Sequence, residues 1–124
     1  MTTEASQVQM PPIEKGVKLL YKEGYDYKSY CAPVAGAIIY PIGKWVGPKT
    51  YCGPLTIFDT IENARRYLDL VGNYFPYWLF TSEYILSQYT VLWSGCAGKI
   101  YGPPYPIGTR FADKVKILNL IESR

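Results

Sequence analysis

The chain has 124 residues, 48% of them hydrophobic, with 13 Lys and Arg against 10 Asp and Glu and a net charge of +3. That length accommodates one domain with a real core, and the small, scattered charge lacks the basic cluster of a strong nucleic-acid binder. There is no His, which removes Ser-His-Asp and Cys-His nucleophile activation, imidazole acid–base chemistry and most zinc sites.

Residues 1–14 are polar, contain Pro11-Pro12 and read as a flexible N-terminal tail, so that 15–124 form the single domain. Gly16 to Lys22 reads as the first strand, Glu23 to Ser29 as a loop, and Ala35 to Tyr40 as the second strand, ended by Pro41. Ile42 to Gly53 is a turn-rich connection in which Trp45 must pack somewhere. Its segment Gly43-Lys44-Trp45-Val46-Gly47-Pro48-Lys49-Thr50 fails as a phosphate-binding loop, because Pro48 splits Gly47 from Lys49 and no helix follows.

Leu55 to Phe58 is a third strand and leads into the one convincing helix, about 60–71. Asp59 is placed to cap it, with Glu62 reaching back in a capping box. Ile61, Ala64, Leu68 and Val71 form an apolar stripe, Arg65, Arg66 and Asp69 fall off it, and Gly72 is placed to end it. The run from Tyr77 to Tyr84 reads as a strand buried on both faces. Tyr89 to Trp93 and Lys99 to Tyr101 read as further strands, and Lys114 to Ile121 as a strand with a C-terminal helix as the alternative. Tyr-Pro-Ile-Gly occurs twice, at 40–43 and 105–108, as two similar turns.

The fold expected is α+β: a mainly antiparallel sheet of five to seven strands with one principal amphipathic helix. Its expected core is Leu19, Ile38, Leu55, Ile57, Phe58, Ile61, Ala64, Leu68, Trp78, Phe80, Val91 and Trp93. No run of about eighteen apolar residues is present, so no membrane helix is expected. The N-terminus lacks the basic and apolar regions of a signal peptide, which gives a cytoplasmic expectation, or host cytoplasm for a viral protein. Cys31, Cys52 and Cys96 are widely spaced and suggest no metal site. They read as reduced thiols, with a Cys31–Cys52 disulfide as the alternative, because the two segments resemble each other across one hairpin.

Thirteen Tyr and three Trp are the compositional excess. Tyr and Trp are enriched where proteins meet. The expected function is therefore a non-enzymatic protein-interaction domain, self-associating through a contiguous patch of Tyr25, Tyr27, Trp45, Tyr101 and Tyr105, with no catalytic residue and no cofactor. The first alternative is a single-stranded nucleic-acid module, with bases stacked on Tyr21, Tyr25, Tyr27 and Tyr30 and phosphates tracked by Lys18, Lys22 and Lys28. The second is a transferase-like enzyme, whose sign would be a deep pocket lined by Glu83, Arg110 or Glu62.

The run Tyr40-Pro41-Ile42-Gly43-Lys44-Trp45, followed by Gly53-Pro54-Leu55-Thr56-Ile57-Phe58-Asp59-Thr60-Ile61-Glu62-Asn63-Ala64, resembles a group of small uncharacterised proteins from microbes and their viruses. They share a strand, a Gly-Lys turn and a Phe-x-Thr-x-Glu-x-Ala helix start. The aromatic-x-Thr helix entry is also similar to that of ADP-ribosyltransferase-like domains. That resemblance implies a transferase activity without placing a catalytic residue.

Overall fold

A computed structural model describes residues 11–29, 38–49, 52–71, 76–94 and 99–124. In chain order the elements are β1 (Ile13–Glu23), β2 (Asp26–Ser29), β3 (Trp45–Val46), β4 (Cys52–Gly53), β5 (Leu55–Phe58), α1 (Ile61–Val71), β6 (Trp78–Leu86), β7 (Leu92–Ser94), β8 (Lys99–Tyr101) and β9 (Thr109–Ser123). The architecture is α+β, with every strand pair antiparallel: a main sheet of six strands and a second sheet of three. None of the described helices is long and apolar enough to cross a membrane.

Local chemistry places the helix as expected but moves its cap. The Asn63 amide donates to Thr60 Oγ1 at 3.1 Å, so Thr60 is the capping residue, three positions before the amide it satisfies. Asp59 instead accepts from the Asn63 side-chain amide at 2.8 Å and pairs with Arg110 at 3.4 Å. The cap expected of Asp59 is thus displaced by one residue to Thr60, and Glu62, expected to complete a capping box, is exposed. Ala64 and Leu68 are buried, with Ile61 and Tyr67 packed beside them. Gly72 lies outside the described residues.

Three segments differ from the sequence reading. β1 begins at Ile13 and runs to Glu23. The expected loop 23–29 is the second half of a hairpin, because Gly24, at φ 63, lets the chain reverse over two residues and pair Glu23 with Asp26. Trp45 and Val46 pair with Lys116 and Val115 as a short edge strand. Of the expected strand 35–40, residues 35–37 lie outside the described ones, and Ile39 makes an isolated bridge to Lys28. The two Tyr-Pro-Ile-Gly copies do form matching turns. Lys44 N–H donates to Pro41 O, Thr109 N–H to Pro106 O, and Gly43 and Gly108 take φ of 78 and 86.

The main sheet closes on itself. β1 pairs with β6 from Ile13↔Ile85 to Leu20↔Trp78, β6 with the fifteen-residue β9, β9 with β5 from Leu55↔Ala112 to Phe58↔Thr109, and β5 returns to β1 at Val17↔Phe58. Register shifts after Leu79, Thr81 and Ile85 add the local twist that curls β6 and β9 around this ring.

Side-chain alternation divides the core in two. Leu20, Leu55, Ile57, Phe80, Tyr84, Val115 and Ile117 pack with Tyr40 in one cluster. Val17, Leu19, Phe58, Tyr77 and Leu79 pack with Ala64 and Leu68 beneath α1 in the other. Seven of the twelve expected core residues are buried; Ile38, Ile61, Trp78, Val91 and Trp93 are half-buried. Trp78 therefore does not make β6 a strand fully buried on both faces, since Thr81 and Leu86 are exposed as well.

The middle of α1 is tied to the end of β9. Arg65 Nε donates to Glu122 Oε1 at 2.9 Å and the Tyr77 hydroxyl to Glu122 Oε2 at 2.8 Å. Arg65 therefore belongs to an ion pair and not only to a solvated helix face.

Candidate functional site

β5 is short, and its partnership with β1 is confined to Val17↔Phe58. Beyond that pair the strands are joined through a side chain: Lys18 Nζ donates to the Thr56 carbonyl at 2.6 Å. Lys18 shares the inward face of β1 with Leu20. Its residue is 5% exposed, and Nζ stands 5.1 Å from the centroid of the Tyr40 ring, a cation–π arrangement.

The small sheet approaches β5 from another direction. β4 runs through Pro54 into β5, and Gly53 pairs with Trp93 of β7. A Cβ at Gly53 would stand 3.1 Å from the Trp93 ring, so glycine lets the indole lie close to the backbone. Tyr105 packs edge-on against Phe111 at 4.9 Å, and its hydroxyl accepts from the Leu92 amide at 3.2 Å. These contacts anchor β7 and the 102–108 loop to β9.

Between these parts lies an open cavity of about 210 Å³ over β5. Leu55, Ile57, Trp93 and Tyr105 supply apolar and aromatic lining, and Lys18 and Tyr40 supply the polar groups used below. No carboxylate is among the described lining residues. Glu83, Arg110 and Glu62, whose presence in a pocket would have marked a transferase, are not part of it. Glu83 instead pairs with Lys116 at 3.2 Å on the β6–β9 ladder, and Lys116 Nζ lies 4.8 Å from the Trp45 ring centroid. No group of three or more potential metal ligands occurs among the described residues.

Tyr25, Tyr27, Trp45 and Tyr105, four of the five rings of the expected patch, have separate surroundings. Tyr25 is 96% exposed at the β1–β2 turn. Tyr27 packs edge-on against Phe80 and Trp78, at 4.9 and 6.3 Å. Trp45 lies beneath Lys116 on β3, and Tyr105 lines the cavity. Tyr101 belongs to β8, the outer strand of the small sheet. Cys52 also lines the cavity, whereas Cys31, its suggested disulfide partner, lies outside the described residues.

The basic and aromatic residues considered for single-stranded nucleic acid are similarly dispersed. Lys18 is buried, Lys22 covers Tyr27 at 5.5 Å, and Lys28 pairs with Glu23 at 2.7 Å. That ion pair, with its hydrogen bond as the larger cause, raises the Lys28 pKa. Tyr30 lies outside the described residues.

Sequence reasoning named Lys18 only as a surface phosphate contact in the nucleic-acid alternative, not as a buried cavity group, and did not identify Tyr40 as a site residue. The available signal was a lysine inside the otherwise apolar run Val17-Lys18-Leu19-Leu20, at a position sharing Leu20's face. Comparison with protein-family models, curated proteins and solved structures gives no match to this chain.

Proposed function

We propose that this chain is a non-enzymatic binding domain whose site is the cavity over β5. The observation that supports this reading is the composition of that cavity: aromatic and aliphatic walls around a single buried ammonium. Such a setting favours retention of a partly apolar molecule through burial and a few oriented polar groups. A titration with N-phenyl-1-naphthylamine, a neutral apolar fluorophore, tests it. Saturable one-to-one binding is expected, with amide NMR shifts concentrated on Leu55–Phe58 and around Trp93. Shifts confined to other surfaces defeat the reading, as does a lack of saturable binding by this fluorophore together with the phenyl compounds tested below.

Self-association is a second reading, supported by the outer edge of the small sheet. β8 pairs with β7 alone among the described strands, and Ile100 on it is 74% exposed. An open strand edge with an exposed β-branched side chain can pair with another chain. Sedimentation velocity over a range of concentrations tests this: a dimer that Ile100→Lys dissociates supports it, and a monomer throughout removes it.

A further inference from the structure

The cavity contains a charge whose burial is incompletely compensated. Lys18 is 5% exposed, and among the described residues its ammonium has one hydrogen-bond acceptor, the Thr56 carbonyl. The Tyr40 ring adds electrostatic attraction but no oxygen acceptor on that face. An ammonium carries three donors, and burial of a charge is costly without a partner.

The described carboxylates do not meet this need. Glu23, Asp59, Glu83 and Glu122 pair with Lys28, Arg110, Lys116 and Arg65 respectively. Glu14, Asp26, Glu62, Asp69 and Asp113 are exposed. A second polar group in the same lining is also unsatisfied: the Tyr40 hydroxyl is buried and has no hydrogen-bond partner among the described residues. Tyr40 itself is 1% exposed.

We propose that the cavity takes a small carboxylate with an apolar body, and that Lys18 selects its anionic head. This inference rests on the cavity being a binding site. The carboxylate supplies the negative charge missing beside Lys18, and its oxygens can accept hydrogen bonds from both the ammonium and a reoriented Tyr40 hydroxyl. Leu55, Ile57 and Trp93 receive the apolar body. Charge complementarity distinguishes this occupant from a neutral hydrophobe, which would leave the ammonium buried and unpaired.

The test compares 4-phenylbutanoate, 4-phenylbutanamide and butylbenzene by NMR titration of the full chain and of Lys18→Met. The butanoate is expected to bind the native chain about ten- to a hundredfold more tightly than the amide, the range of one charge-assisted hydrogen bond. Lys18→Met should bring the two within about twofold, the residual expected when the charged contact is gone. An intermolecular NOE between the butanoate α-methylene and the Lys18 ε-methylene should be present in the native chain. It is the deciding measurement if Lys18→Met does not fold, and its absence overturns the assignment. Equal binding of acid and amide overturns carboxylate selection while leaving the binding-domain reading intact. Failure of all three compounds and of the neutral fluorophore removes both.

Discussion

Gly16 on β1 faces the Phe58 carbonyl on β5 so closely that a Cβ at Gly16 would stand 2.7 Å from that oxygen. The neighbouring residues Val17 and Phe58 are the pair that closes β5 onto β1. Close backbone approach is therefore what glycine contributes here; its φ is not in the left-handed region. Gly16→Ala must either part the strands or displace Ile57, whose side chain is 3.1 Å from the same point. A loss of about 1–3 kcal/mol is expected, the usual range for overpacking. Gly102→Ala has open space around the added methyl and should stay within about 0.5 kcal/mol. Denaturant midpoints of the two variants check the contrast.

The helix start separates two polar side chains that look interchangeable in the sequence. Thr60 caps the Asn63 amide, whereas Asp59 links the Asn63 side chain to Arg110. Thr60→Ala is expected to lose about 0.5–2 kcal/mol, and Thr60→Ser to retain most of that stability. Chemical denaturation checks the cap. A double-mutant cycle between Asp59 and Arg110 should show coupling, while one between Thr60 and Arg110 should be additive.

The difference between local and distant information explains what could be anticipated. The strand-to-helix junction Leu55–Val71 was legible because capping groups and periodic apolar residues act within a few positions. β9 was legible in part for the same reason, although its pairing with three strands extends it to Thr109–Ser123. Ring closure depends on Gly16 meeting Phe58, a relation between distant segments that no local pattern announces. Lys18 and Tyr40 were obscured because a strand lysine is ordinarily read as solvent-facing and a Tyr before Pro as a strand end. Their roles emerge only when β1, β5 and the segment after β2 converge. The expected ring patch had the converse problem: an excess of Tyr gives composition, but Tyr27 turns inward to Phe80 while Tyr25 turns outward at 96% exposure.

Two leucines on the same helix offer a direct check of which face is buried. Leu68 is 2% exposed beneath α1, and Leu70 is 76% exposed. Leu68→Ala should cost about 2–5 kcal/mol through lost apolar contacts and a residual cavity. Leu70→Ala should change stability by no more than about 0.5 kcal/mol, as expected for a surface position. Thermal unfolding of both variants measures the contrast, and similar losses would place the wrong face against the sheet.

The link between α1 and the end of β9 should make stability depend on acid pH through Glu122. The Arg65 hydrogen bond, followed by that from Tyr77, holds the Glu122 carboxyl below its ordinary pKa, against the opposing effect of burial. A carboxylate whose folded-state pKa is depressed binds protons more readily in the unfolded chain. Its stabilisation is therefore present above the unfolded Glu value of about 4.3 and is lost as pH falls through the folded-state value. Glu122→Gln should be less stable than the native chain at pH 7, and the difference should shrink as acidification protonates native Glu122. Tyr77→Phe removes the second donor, so the folded-state value should rise toward the unfolded one, and the acid-dependent loss should become smaller and be complete at a higher pH. Burial, followed by the bond to Glu122, raises the Tyr77 pKa, so its own contribution is instead lost in alkali, as pH rises through its folded-state value. Urea titrations of the three chains between pH 7 and pH 2 should therefore give native and Glu122→Gln curves that converge on the acid side. A constant separation across that range would show that Glu122 stabilises the fold without a shift in its proton affinity.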